Sequence, residues 1–319
     1  MARRHLAGVF LLSLAVGFLP GAVRAEAPDY HLAPEAVADG VYVLWGAQDA
    51  LTPENGGAIA NSGFIVGDEA VLAIDPGPTA LFAQQLLDTI RGVTELPVKE
   101  AVVTHHHPDH AFGIEATVEA GIPVLMHPAA AKLLAREGET LLGFMTELVG
   151  EAWTAGTRIG APTLAVETPQ TIDLGGRAIT VTPMTGGHTP GDLIVFDEKT
   201  RTLFAGDLVF IGRAATVPHA DIPTWRAHVA ALKAMNWREL VPGHGPLVND
   251  PAMLDTLDAY LAYLDDFART AWNRGDSPAE ALMEPLPERF RGLAQVDVEF
   301  QRSLLSLFER FETHPPEPR

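Results

Sequence analysis

Cysteine is absent from all 319 residues. Without it there is no disulfide framework, no thiolate ligand for a metal and no lipoprotein anchor, which requires a cysteine at its cleavage site. Positive charge is also scarce, with 22 Lys and Arg against 41 Asp and Glu, a formal charge of −19. Such an acidic chain repels nucleic-acid phosphates and anionic lipid surfaces, which excludes nucleic acid as a partner. Repeats and low-complexity segments are missing. No apolar run reaches the roughly 20 residues of a membrane span.

The longest such run, Leu6 to Leu19, has a different signature. Arg3 and Arg4 precede it, and Val23-Arg24-Ala25 places small residues at a cleavage position. This pattern is a secretory leader, expected at residues 1–25 and cut after Ala25, and its arginine pair leaves the export route open. Loss of Arg3, Arg4 and Arg24 moves the formal charge from −19 to about −22. The mature protein is expected in the periplasm or secreted, with no stable membrane insertion.

Hydrophobic residues make up 47% and charged residues 20%, the balance of a globular domain. Residues 26–319 are read as one domain, opening on a short lead-in at Glu26–Pro34. β-Rich runs follow at Val41–Trp45, Ala58–Val66, Ala70–Asp75, Val98–Val103 and Pro123–Met126. Helical spacing marks Thr79–Val93, Phe112–Ala120 and Ala129–Val149, the last with a break expected near Gly138. A second strand series covers Leu164–Glu167, Gln170–Leu174, Arg177–Met184, Asp192–Phe196 and Thr202–Ala205, before helix Thr224–Met235 and strand Glu239–Val241. Two strand-rich halves flanked by helices predict an α/β protein, a four-layer αββα sandwich. Residues 251–319 turn helical, and Leu257, Leu261, Leu264 and Phe267 form an apolar stripe that docks on the sandwich.

The chemistry is concentrated in Thr104-His105-His106-His107-Pro108-Asp109-His110, directly after the strand ending at Val103. Imidazole and carboxylate are zinc ligands, and a catalytic zinc keeps one position open for water. Four such groups on one loop exceed the needs of one open tetrahedral site, so the spacing points to two metals. His188, Asp207 and His244 each close an apolar run beside glycine, in Gly186-Gly187-His188, Ala205-Gly206-Asp207 and Gly243-His244-Gly245. There a side chain can be aimed off the sheet edge into a cleft.

From about Gly40 to His244 the chain resembles the metallo-β-lactamase superfamily in each of these motifs. Carried over residue by residue, the resemblance implies that His105, His107 and His188 hold one zinc. Asp109, His110 and His244 would hold the other, with Asp207 bridging the two. Asp75, in Ile74-Asp75-Pro76-Gly77, matches the motif whose carboxylate buttresses the metal loop. Two zinc ions sharing a water lower its pKa to about 7 and supply hydroxide for attack on a carbonyl carbon. Asp109 is the catalytic residue expected to orient that nucleophile or take its proton. Iron binds the same donors, so an iron-dependent persulfide dioxygenase stays open beside the hydrolase. His107 separates the chain from the di-iron flavoprotein relatives, which carry glutamate there.

Within the superfamily the chain is similar to exported zinc metallohydrolases linked to periplasmic quinoproteins and sulfur oxidation. Asn61-Ser62-Gly63-Phe64-Ile65-Val66-Gly67, Pro162-Thr163-Leu164 and Leu203-Phe204-Ala205-Gly206-Asp207-Leu208 carry that similarity. It implies a small-molecule substrate and allows a periplasmic redox partner. The expected reaction is hydrolysis of a small ester, thioester, lactone or related acyl compound. β-Lactamase activity, or a non-catalytic role beside a periplasmic quinoprotein, is also compatible with these motifs. Outside the seven ligands, His106 is expected to pack away from the metals and His219 to edge the cleft. Asn55-Gly56-Gly57 and Asn61 are expected in a hairpin flap, Trp153 and Trp225 in the core, and His31, His127, His228 and His314 as ordinary histidines.

Overall fold

The computed structural model describes residues 28–316, so the leader read at residues 1–25 falls outside the described residues. The first sheet runs in chain order through β1 (Glu35–Ala38), β2 (Val41–Leu44), β3 (Ser62–Val66), β4 (Val71–Ile74), β5 (Val98–Val102), β6 (Val124–Met126) and β7 (Leu164–Ala165). Its first four strands pair antiparallel and β4 to β7 parallel. Parallel neighbours need crossovers. These are α1 (Ala80–Val93), then α2 (Pro108–Ala111) with α3 (Ile114–Glu119), then α4 (Pro128–Val149) with α5 (Glu151–Thr154).

The second sheet is built from β8 (Gln170–Asp173), β9 (Ala178–Pro183), β10 (Leu193–Asp197), β11 (Thr202–Phe210) and β12 (Glu239–His244), with β12 on one edge and β8 on the other. Only β11 and β12 pair parallel, and α6 (Ile222–Ala234) connects them. After β12 come α7 (Asp255–Arg274), α8 (Pro278–Ala281) and α9 (Val296–Thr313). Among the described residues no helix is long and apolar enough to cross a membrane.

Strand alternation creates the layers. Leu72 and Ile74 of β4 pack with Val181, Val195 and Phe204 of the second sheet, forming the core between the sheets. Val71 and Ala73 point the other way, onto Leu86 and Ile90 of α1. On the opposite side Ile194 and Leu203 meet Trp225 of α6, Leu261 of α7 and Leu304 of α9. The order is therefore helices, sheet, sheet, helices. Arg177 also ties the halves together, pairing with Asp197 at 2.6 Å and donating to the Val66 and Asp39 carbonyls across the layer boundary.

Three differences from the sequence expectations have local causes. Residues 35–38, beyond the lead-in, form an edge strand on β2, too short and half-exposed to show a period. Helix α4 runs unbroken through Gly138, which is buried because a Cβ there would come within 2.8 Å of Ile159. That glycine serves close packing, not a break. Strand β11 continues past Ala205 to Phe210 and β12 past Val241 to His244, so Asp207 and His244 sit inside strands and not after them.

Candidate metal centre

Both sheets contribute to one rim. The segment after β5 turns at His107, whose extended backbone (φ −65°, ψ 149°) precedes Pro108 at the first position of α2. A proline is tolerated there because that N–H lacks a helical partner anyway. The single turn then swings Asp109 and His110 round beside His105. His188 arrives from the loop before β10, Asp207 from β11 and His244 from the end of β12. All seven are buried, none more than 9% exposed.

The donors form two groups. Nε2 of His105 and Nε2 of His188 lie 3.1 and 3.0 Å from Nδ1 of His107. Asp207 Oδ2 is 3.5 Å from the His105 nitrogen and 3.3 Å from that of His188. On its other side Asp207 Oδ1 faces Nε2 of His110 at 3.1 Å and of His244 at 3.4 Å. Asp109 Oδ2 completes the second group, 3.3 Å from His244 Nε2. The structure thus brings together every expected ligand, with the two oxygens of Asp207 divided between the groups.

Four donors placed about 2.1 Å from a divalent ion in a tetrahedron are separated by roughly 3.4 Å. The observed spacings match that edge. Asp207 Oδ1 and His110 Nε2 are buried and face each other at 3.1 Å without an aligned hydrogen bond, an arrangement that a cation between the donors would satisfy. The donor set therefore fits divalent metal ions.

The outer nitrogens show how the inner ones are aimed. His110 donates through Nδ1 to Asp75 Oδ2 at 2.8 Å, and His244 through Nδ1 to the Ile59 carbonyl at 2.9 Å. Thr104 donates its amide (2.7 Å) and hydroxyl (2.9 Å) to Asp75, which leaves the hydroxyl oxygen to accept from His105 Nδ1 at 3.1 Å. Each contact holds a proton on the outer nitrogen, so that the inner nitrogen is the one left to offer a lone pair to a metal, the usual second layer of a metal site. Asp75 makes these contacts with φ at +51°, a left-handed conformation favoured by few residues besides glycine. Asp75→Ala is expected to weaken metal binding by about 10- to 100-fold. Competition against a chelator measures this; affinity within twofold of wild type would contradict it.

His107 has a longer chain of support. Its Nε2 lies 3.1 Å from Nδ1 of His219, whose Nε2 lies 3.0 Å from Glu137 Oε2 on α4. His219, expected only to edge the cleft, thus orients a central imidazole as well. Glu137 has no signature in its own sequence neighbourhood; its role arises from a contact 82 residues away. His106 packs beneath these rings, fully buried, and burial with the nearby His105 pulls its pKa down to about 2, so it is neutral.

Aromatic walls hold the remaining rings. Phe210 stacks on His244 at 4.9 Å, and the fully buried Trp225 meets His188 edge-on at 4.9 Å. Asn61 is a correction: it forms no flap. It is buried, donating to the Pro242 and Gly245 carbonyls at 2.8 and 2.9 Å, and so anchors the His244 turn. Asn55-Gly56-Gly57 likewise packs down, with Gly56 against the Trp153 ring. Trp153 is part-buried, fastening this loop through its Nε1 bond to the Pro53 carbonyl.

Charge in the centre is balanced. Burial alone would lower His244, but Asp207 and Asp109 outweigh it and raise its pKa to about 9. His110 is likewise raised by Asp207, Asp75 and Asp109 against the opposing effect of burial. Burial pushes Asp109 upward, yet His110 and His244 bring it down to about 2. In the metal-free protein His110 and His244 therefore carry protons at neutral pH, and an incoming cation must displace them. The sign follows: raising the pH up to about 9 removes the competitor, so apparent affinity climbs throughout that range, and acid weakens it. Metal loading at pH 7 is expected to release protons, detectable with an indicator dye. A flat affinity between pH 7 and 9 would contradict this.

A hydrophilic cluster of this kind at the rim of an αββα sandwich defines a metallo-hydrolase. Residues 55–248 match the family model of the metallo-beta-lactamase superfamily, and the chain belongs to that family. The matched region contains all seven donors. Acyl-coenzyme A thioesterase MBLAC2 of Bos taurus is 30% identical over 207 residues, 58% of this chain and 72% of the relative. Metallo-beta-lactamase IND-1 of Chryseobacterium indologenes is 25% identical over 190 residues, 58% of this chain and 71% of the relative. Among solved structures, the metallo-beta-lactamase from Pontibacter korlensis superposes with a TM-score of 0.58 at 24% identity, covering 72% of this chain and 99% of its own. That last likeness concerns the fold alone.

Proposed function

We propose that this chain is an exported di-zinc hydrolase acting on a small acyl substrate, a thioester first among the esters, thioesters and lactones that fit the chemistry. The observation that carries this reading is the division of the Asp207 carboxylate, Oδ2 to one donor group and Oδ1 to the other. One carboxylate placed in that way suits two ions and fixes their separation. Bound there, a zinc pair supplies Lewis acidity toward the acyl oxygen and a water of lowered pKa.

The chain's own residues do the rest. His105, His107 and His188 would hold one ion, Asp109, His110 and His244 the other. Asp109 also lines the open cleft, so its carboxylate can accept a hydrogen bond from the attacking water or take its proton. The buried aromatic and imidazole walls keep bulk water from the donors, which strengthens each electrostatic contact inside. Hydrolysis adds one water across the acyl bond, giving a carboxylic acid and the free thiol or alcohol. The thioesterase name of one relative supports thioester chemistry.

The leader supports export, and with the Asn61–Gly67 stretch it supports placement among quinoprotein- and sulfur-oxidation-linked metallohydrolases. Metal analysis of purified protein tests the cofactor: two zinc ions per chain are expected. One iron, with oxygen uptake on a persulfide, would overturn the reading in favour of a dioxygenase. A chromogenic panel of thioester, lactone and lactam substrates, run against Asp109→Ala, tests the reaction class. Full metal loading with no turnover would leave the accessory-partner role.

A further inference from the structure

Beside the donors lies a cleft of about 470 Å³, within the range of small-molecule sites. One wall comes from α4, where Leu141, Phe144, Met145 and Leu148 face it at three- and four-residue spacing. Seven large apolar side chains are exposed among the described residues, and three of them, Phe144 (57%), Leu148 (38%) and Val298 (61%), line this one cleft. Such a concentration marks a surface that meets apolar matter. Val298 belongs to α9, beyond residue 248 where the family match ends, so this part of the lining lies outside the matched region.

The same cleft contains a buried cation. Arg213 is only 6% exposed, and its Nη1 donates to the Gln48 and Asp49 carbonyls at 2.9 and 2.6 Å. Among the described residues no carboxylate lies within salt-bridge distance of it. Glu299, in the same lining, stands beside Arg302 instead, 3.9 Å away. A buried guanidinium left without an anion is costly, and such a cation in a cleft is suited to a ligand anion. Backbone bonds between residues 212–214 and Ala294 hold this segment against the turn before α9.

We propose that the cleft binds an amphiphilic acyl substrate, with its apolar acyl arm between α4 and α9 and an anionic group of the leaving thiol or alcohol held by Arg213. The two features come from opposite layers, α4 from the first sheet's helices and Arg213 from the segment after β11. The α4 wall and the Arg213 cation are thus separate features of one cleft that also contains the donors His107, Asp109 and His244. This rests on the acyl-hydrolase reading and narrows it.

The test uses the metal-loaded full chain and two thioester series, from acetyl to octanoyl, on 3-mercaptopropionate and on its neutral amide. Thiol release is read with a thiol reagent, to which the cysteine-free protein contributes nothing. The octanoyl compound is expected to exceed the acetyl one in kcat/KM by about 100-fold, because the longer arm buries more methylenes. The anionic series is expected to lead the neutral one by about tenfold or more. Arg213→Met should collapse that ratio towards one, mainly through KM, and Phe144→Ser should flatten the chain-length response. Binding of S-octyl-3-mercaptopropionate, a thioether that cannot be hydrolysed, is measured by calorimetry in parallel. Equal loss on both series in Arg213→Met would overturn the anion site and leave Arg213 as a clasp for Gln48 and Asp49. A flat chain-length response would overturn the acyl wall and favour a protein partner on the exposed face. Turnover of the acetyl amide with neither preference would sink this inference while keeping the hydrolase. Thioether binding that Arg213→Met weakens, with no turnover of any ester, would keep the cleft assignment and remove the hydrolase.

Discussion

Asp207→Ala is expected to lower hydrolysis by about 10³-fold or more, the scale of removing a central electrostatic contact. Metal content should fall below two ions per chain at the same time. Both effects have one cause, since Oδ2 stands in the His105, His107 and His188 group and Oδ1 in the His110 and His244 group. Alanine removes a donor from each and also the negative charge that offsets the surrounding imidazoles. Asp207 is held well below the usual carboxylate range by His244, His110 and His105, which outweigh its burial. His244, raised by Asp207 first among its charged neighbours, loses that support, and its pKa should fall from about 9. Asp207→Asn separates the two contributions, keeping the shape and one neutral acceptor. Metal analysis alongside kcat/KM decides the matter. Two ions retained with activity within tenfold of wild type would disprove the bridging role.

Gly243→Ala should be nearly as damaging, although residue 243 offers no functional group. A Cβ built there would overlap Oδ1 of Asp207 and approach the Asp207 nitrogen at 2.8 Å. Both lie on β-strands buried against each other, so neither backbone can withdraw cheaply. The carboxylate must rotate or the strands must part. A displacement near 1 Å of a positioned group costs about 10²-fold in rate, and overpacking of this kind costs about 1–3 kcal/mol in stability. Gly92→Ala provides the control: its Cβ meets nothing within 4 Å, and a helical alanine stabilises by about 0.5–1 kcal/mol. Thermal melts with metal titrations on both variants distinguish a local steric effect from general intolerance of alanine. Metal affinity of Gly243→Ala equal to wild type would contradict the assignment.

Much of the centre was legible before any fold was known. H-x-H-x-D-H places four donors on one loop, and short-range chemistry suffices to recognise them. His188, Asp207 and His244 could be named because glycine flanks each at the close of an apolar run. The layers were legible as well, through the two-residue period of the strands and the apolar stripe at Leu257, Leu261 and Leu264. Other features left no local trace. Gly138 reads as a helix break by propensity, yet Ile159 makes it a packing necessity. Asn61 reads as flap chemistry, yet the Pro242 and Gly245 carbonyls make it an anchor.

What residue order by itself determined is the inventory: which donors exist and which strands carry them. Those are properties of side-chain chemistry and of backbone periods, both of which act over a few residues. Only the tertiary structure decided the assignment of each Asp207 oxygen, the support of His107 by His219 and Glu137, and the meeting of α4, Arg213 and α9 around one cleft. Each depends on contacts between segments tens to more than a hundred residues apart, where position is set by packing of whole layers and no local pattern encodes the partner.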